Sequence, residues 1–171
     1  ANTLSFDNDA IAAYTTDGIG LVNDLVEKIG SFSNSSILLL GAGGAANAVI
    51  PSILSENISH LYLWNRTIQK SIDMANHWHK SYKNISVMEN VDFKKIDIVI
   101  NATSAGIDNT APSPICLHNS HSAVICYDMM YGRQTPFLKS ASDNNLTFFD
   151  GLGMLVKQAA ASFEIWHEQK V

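Results

Sequence analysis

The sequence predicts an α/β fold: a doubly wound, mostly parallel sheet with helices on both faces. Three observations carry that expectation. From Ile37 onward, short apolar runs alternate with helical patterns through most of the remaining chain. The first run, Ile37-Leu38-Leu39-Leu40, shows no polar alternation, as expected of a strand covered on both faces. A glycine-rich turn follows it directly and opens into a helix. The 171 residues, 46% hydrophobic and 16% charged, suit one domain with a sizeable core, or one domain plus a short appendage.

In chain order, residues 2–16 read as two short strands around the turn Asp7-Asn8-Asp9. Asp17-Gly18 then opens a helical pattern that sets Val22, Leu25, Val26 and Ile29 on one face, stopped by Gly30. Ser31 to Ser36 is a small, polar connector. The helix after the glycine turn is expected to run to about Leu54. Pro51 sits past its first turn, where it removes a backbone hydrogen bond, so a bend or local irregularity is expected there. Strands are expected at Leu61–Trp64, Ile85–Met88, Ile96–Ile100, Ala123–Tyr127 and Leu146–Phe149. Helical segments intervene, notably Ile68–His79, and a last helix spans roughly Gly153–Glu168.

Several classes of function are disfavoured. A net charge of −5 with no basic run argues against nucleic acid as a partner, because phosphate binding needs clustered Lys and Arg. The most apolar stretch is too short to span a bilayer, and no signal-peptide layout opens the chain, so no membrane partner is expected. Cys116 and Cys126 match no disulfide or CxxC spacing and read as free, buried thiols of a reducing cytoplasm. His77 and His79, two apart on a helix, point in different directions, so no metal site is expected.

The turn Gly41-Ala42-Gly43-Gly44-Ala45-Ala46 matches G-x-G-x-x-G/A between a strand and a helix, the context of Rossmann-like dinucleotide binding, although such turns also occur for purely steric reasons. Gly41 permits the tight turn, Gly43 lets the backbone approach a pyrophosphate, and Ala46 allows close helix–strand packing. The free N–H groups and positive dipole end of the helix then favour phosphate. The second strand ends in Asn65-Arg66-Thr67, with Lys70 one turn later and no carboxylate. An acidic residue there would accept ribose hydroxyls in an NAD site, whereas Arg66 can grip the 2′-phosphate of NADP through two donors. A solvated basic helix start is the alternative reading. The fourth strand ends in Asn101-Ala102-Thr103-Ser104-Ala105-Gly106, suited either to close passage past a flat ring or to an ordinary polar loop.

Taken together, these segments resemble the shikimate dehydrogenases. The resemblance rests on NTL at 2–4, TDG at 16–18, GAGGAA at 41–46, NRTIQK at 65–70 and NATSAG at 101–106. It continues through YDMMY at 127–131, TPFL at 135–138 and GLGMLVKQAAASFEIW at 151–166, in the family's order over almost the whole chain. It implies reduction of 3-dehydroshikimate to shikimate with NADPH, in aromatic amino acid biosynthesis. It further implies that Gly41, Ala42, Gly43, Gly44 and Ala45, with Asn65, Arg66, Thr67 and Lys70, bind the cofactor. Met129 and Gly151 are implied to line the nicotinamide region. Asn2, Asp17, Tyr131 and Gln158 are implied to contact substrate hydroxyls, and Asp17 to be the acidic half of a catalytic Lys–Asp pair.

From spacing alone Asp17 also reads as an N-cap, Gln158 as an exposed helix position and Tyr131 as a packing aromatic. Where the family usually shows G-x-N-T-D-G, this chain has Ala13-Tyr14-Thr15-Thr16-Asp17-Gly18, so Thr15 replaces Asn. The family's N-terminal substrate domain supplies the catalytic Lys. No Lys here matches it, the first being Lys28. Residues 1–30 therefore read as the substrate-domain edge and connecting helix, and 31–171 as the NADP-binding domain. These residues alone are expected to bind cofactor with little or no turnover, the missing N-terminal substrate domain being their partner in the same protein. A quinate/shikimate dehydrogenase using NAD, or a non-catalytic dinucleotide-sensing domain, are the competing readings.

Overall fold

In a computed structural model, residues 1–7, 10–105 and 111–167 are described. A six-stranded sheet is built from β3 (Ser36–Leu40), β4 (His60–Trp64), β5 (Ile85–Val87), β6 (Ile98–Asn101), β7 (Ile125–Asp128) and β8 (Thr147–Phe149). Its order is β5-β4-β3-β6-β7-β8, and every adjacent pair is parallel. The chain therefore builds outward from β3 on one side, then returns to build on the other. The carboxyl ends of β3 and β6 lie side by side, with Leu40 paired to Asn101. This is the switch point at which open α/β sheets bind ligands.

The unbroken apolar run of β3 is explained by two cores. Ile37 and Leu39 belong to one, with Leu21 and Leu25, Val49, Ile50 and Ile53 of the neighbouring helices. Leu38 and Leu40 belong to the other, with Phe93, Leu117, Phe137 and Leu138. Both faces are thus dry, as parallel strands require.

Helices α1 (Asp17–Ile29), α2 (Gly44–Leu54), α3 (Ile68–His79), α4 (Pro136–Asp143) and α5 (Leu152–His167) connect or flank the strands. The bounds of α3 are those expected. Helix α4 was not anticipated as an element, although Thr135 caps it by accepting from the Leu138 N–H and Pro136 opens it. Only a short 3₁₀ turn, Phe93–Lys95, lies between β5 and β6, so the strand expected from Ile96 begins at Ile98. Helix α2 runs through Pro51 as one element. Strands β1 (Thr3–Asp7) and β2 (Ala10–Tyr14) form a separate antiparallel pair, as expected. Asn8 and Asp9 of its turn, Gly106 and Glu168 lie outside the described residues. Among the described residues no helix is long and apolar enough to cross a membrane.

Helix α1 buries Val22 and Leu25 as expected but departs from its expected face elsewhere. Val26 is 43% exposed and Ile29 half-buried, while Leu21, Leu25 and Asp24 are buried. The reason is tertiary: α1 packs against both α5 and α2, which rotates the buried stripe toward Gly20, Leu21 and Asp24. Asp24 accepts a 2.7 Å hydrogen bond from the buried Tyr127 hydroxyl of β7. That hydroxyl in turn accepts from the Met154 N–H of α5. Three elements are joined at one phenol, and burial, followed by the Asp24 carboxylate, pushes its pKa up.

Cys126 is free and buried, but Cys116 is free and exposed, correcting the expectation that both are buried. Burial raises the Cys126 thiol from its ordinary 9.0 to about 12. The folded chain keeps this thiol neutral where the unfolded chain ionises it. Stability is therefore complete below pH 9 and lost as pH rises from 9 toward 12, and Tyr127 acts in the same direction. Urea unfolding at about pH 10 should show roughly 1.4 kcal/mol less stability from Cys126 than at about pH 8. An unchanged or higher midpoint at the higher pH would contradict this.

Candidate functional site

The glycine turn occupies the switch point. Gly41 has φ +109°, a conformation costly for any residue with a Cβ, and its N–H donates to the Trp64 carbonyl at 2.7 Å. A Cβ at Gly41 would also meet the Ala102 carbonyl oxygen at 3.1 Å. Gly43 is different. It has an extended backbone, and a Cβ there would meet no protein atom within 4 Å. The space beside it is open, which is the cradle a pyrophosphate needs. Gly43 caps α2 with no side-chain hydrogen bond, and no acidic residue stands in the first turn. The first N–H groups of α2 are thus left for an external acceptor. Trp78 Nε1 of α3 donates to Asn47 Oδ1 at 2.9 Å, bracing this end of α2.

At the end of β4, Asn65 Nδ2 donates to the Thr67 carbonyl at 2.9 Å, and the Lys70 N–H donates to the same group at 3.1 Å. These bonds shape the turn into α3. Arg66 and Lys70 are exposed, and among the described residues neither forms a salt bridge. Two unspent cations beside an open glycine turn suit the extra phosphate of NADP.

On the far side of the switch point, the carboxyl ends of β6, β7 and β8 meet. The Met129 N–H donates to the Asn101 carbonyl at 3.0 Å, and the Gly151 N–H to the Met130 carbonyl at 2.9 Å. Gly151 packs so closely on the Met129 carbonyl that a Cβ there would collide with the backbone. Met129 and Gly151, paired by the sequence, are therefore neighbours. Tyr131 stands just past β7 and is 48% exposed.

Three of those residues do come together. Asn2 Nδ2 lies 2.9 Å from Asp17 Oδ1, 2.9 Å from Thr16 Oγ1 and 3.2 Å from Gln158 Oε1. The Thr16 N–H donates to Asn2 Oδ1 at 2.9 Å, which fixes how the Asn2 amide is turned. Asp17 is the first residue of α1, not its N-cap; that place is taken by Thr16, whose side chain makes no capping bond. Gln158 is half-buried, its Nε2 donating to the Leu155 carbonyl at 3.1 Å, so it is no freely exposed helix position.

Beneath this array lies a buried hydroxyl chain that the sequence reading missed. Ser162 Oγ is 2.6 Å from Thr3 Oγ1 and 3.0 Å from Thr16 Oγ1, and donates to the Gln158 carbonyl at 3.0 Å. The available signal was its spacing: Ser162 follows Gln158 by one helical turn and shares its face. Thr15 is exposed, outside this network.

An all-parallel sheet with an uncapped helix N-terminus at its switch point defines an α/β domain of the dinucleotide-binding class. The chain belongs to the shikimate / quinate 5-dehydrogenase family, whose model matches residues 24–117. A model of the shikimate 5′-dehydrogenase C-terminal domain matches residues 151–171. A shikimate dehydrogenase (NADP(+)) of Vesicomyosocius okutanii is 44% identical over 96% of this chain and 62% of its own length. The Aquifex aeolicus shikimate dehydrogenase structure superposes with TM-score 0.87 at 30% identity, covering 98% of this chain and 61% of that one. A shikimate dehydrogenase solved in complex with NADP+ gives TM-score 0.88 at 29% identity, covering 98% and 61%. The chain thus spans about 62% of the length of the curated relative it matches.

Proposed function

We propose that this chain is the NADP-binding part of a cytoplasmic shikimate dehydrogenase, which reversibly reduces 3-dehydroshikimate to shikimate with NADPH. The open glycine turn at the end of β3, beside the end of β4 that carries Arg66 and Lys70, exposed and without a salt bridge among the described residues, is the observation that carries this reading. Residues 31–171 form the cofactor domain. Residues 1–30 form the seam to a substrate-binding domain, consistent with the separate β1–β2 pair and the fraction of its relatives that the chain spans.

In this reading the backbone of Gly41, Ala42, Gly43, Gly44 and Ala45 holds the pyrophosphate. Asn65, Arg66, Thr67 and Lys70 hold the 2′-phosphate. Met129 and Gly151 form the wall for the nicotinamide. The bound cofactor supplies the hydride. Asp17, Asn2, Gln158 and Tyr131 take the substrate hydroxyls. Asn2 already donates to Asp17 Oδ1, which leaves Oδ2 to accept from substrate. Gln158 Nε2 spends one hydrogen on the Leu155 carbonyl and keeps one to donate. A substrate hydroxyl can therefore donate to Asp17 and accept from Gln158. The basic partner of Asp17 comes from the substrate-binding domain: among the described residues no salt bridge joins Asp17 to a cation, and Lys28, the first Lys, lies about 16 Å along α1 from it.

Titration with NADPH and NADH tests the cofactor assignment. The chain is expected to prefer NADPH clearly. Arg66→Ala removes charge-assisted hydrogen bonds and should weaken NADPH roughly ten- to a hundredfold with little change for NADH. Equal losses for both cofactors would refute the phosphate role.

A further inference from the structure

We propose that Asp128 is a positioning residue for the nicotinamide end of the cofactor, latching together the two loops that frame it. The proposal rests on the NADP-binding reading above. Asp128 ends β7 and is fully buried, as are Asn101 at the end of β6 and Thr135 ahead of α4. Three donors converge on its carboxylate. Asn101 Nδ2 and the Thr135 hydroxyl donate to Oδ2 at 3.1 and 2.5 Å, and the Met130 N–H donates to Oδ1 at 3.0 Å.

Each donor belongs to a loop wall. Asn101 Oδ1 accepts from the Thr103 N–H at 3.1 Å and the Thr103 hydroxyl at 2.7 Å. Thr103 Oγ1 then accepts from the Ala105 N–H at 3.2 Å. One wall, residues 101–105, is wound tight by this relay and presents the Ala102 carbonyl to Gly41. The other wall runs from Met129 to Thr135, its Met129 carbonyl packed against Gly151. Both walls hang on a single carboxylate, between the glycine turn and Gly151.

The proton count requires an acceptor-only group. All three partners donate, and both alternatives for an amide place an N–H against one of them. In Asp128→Asn, an amide turned to keep the Met130 bond sets its NH₂ against Asn101 Nδ2. The Asn101 amide cannot turn over without facing the Thr103 N–H. Burial raises the Asp128 pKa in spite of these donors.

The discriminating probes are NADPH and 2′,5′-ADP, which carries the adenosine end with its 2′-phosphate and no nicotinamide. Asp128→Asn should weaken NADPH about tenfold and leave 2′,5′-ADP unchanged. In the cofactor-free chain, hydrogen exchange at the Thr103 and Met130 amides should quicken together. Thr135→Val should show the same split, and Thr135→Ser should restore parental affinity; the Thr135 pair decides the matter if Asp128→Asn does not fold. Loss of both probes in equal measure, or of neither, overturns the proposal. A parent chain that binds neither probe overturns the cofactor reading itself, and the proposal with it.

Discussion

Gly43→Ala is expected to abolish useful NADPH binding while leaving the fold intact. The backbone at Gly43 is extended, so an alanine adopts it without strain. Its Cβ would touch no protein atom within 4 Å. The stability change should therefore stay within about 1 kcal/mol, the scale of an N-cap substitution. The methyl group instead fills the space where a pyrophosphate must approach the α2 N–H groups. Losing two charge-assisted hydrogen bonds, at about 1.5–3 kcal/mol each, weakens binding by a hundredfold or more. A fluorescence titration with NADPH beside a thermal melt reads both quantities. NADPH affinity that survives the substitution would show that the open space is not the phosphate cradle.

Gly20→Ala should do the reverse, damaging the fold and the substrate array while sparing the turn. Ala is the better helix former by about 1 kcal/mol, so propensity alone predicts stabilisation. The tertiary contact decides otherwise. A Cβ at Gly20 would lie 2.6 Å from the Met154 carbonyl oxygen and 2.8 Å from the Gln158 N and Cβ. Two of these, the Met154 oxygen and the Gln158 nitrogen, are backbone atoms of α5 and cannot turn aside, and the Gln158 Cβ is fixed to that backbone. Overpacking of this kind costs about 1–3 kcal/mol and should lower Tm by several degrees, roughly 2–4 °C per kcal/mol for a chain of this size. Pushing α1 off α5 also separates Asp17 from Gln158. On the proposed assignment, KM for shikimate should therefore rise further than KM for NADP in the full-length protein. A melt at or above the parent temperature would refute the close-approach argument.

These two glycines show how far the sequence could be read. Gly43 was legible because its role is local: strand, turn and helix follow one another within a few residues, and the pattern is the structure. The strands of the sheet and the bounds of α3 were legible for the same reason, since apolar runs and helical periodicity are short-range signals. Arg66 and Lys70 needed only their distance from the turn. Gly20 carries no such mark. In the sequence it is a helix glycine like any other, and its meaning lies in a backbone more than a hundred residues away.

The sequence by itself determined the α/β class, the glycine turn at the end of its first parallel strand, and the cationic end of its second. Only the tertiary structure decided what gathers around them. It turned the buried face of α1 from Val26 to Asp24, exposed Cys116, and brought Asn2 to Gln158 across 156 residues of chain. It also hung two loop walls on the Asp128 carboxylate. The physical reason is one of range. Periodicity and turn chemistry follow from neighbours in the chain, whereas hydrogen-bond partners and close approaches follow from how finished helices and strands pack.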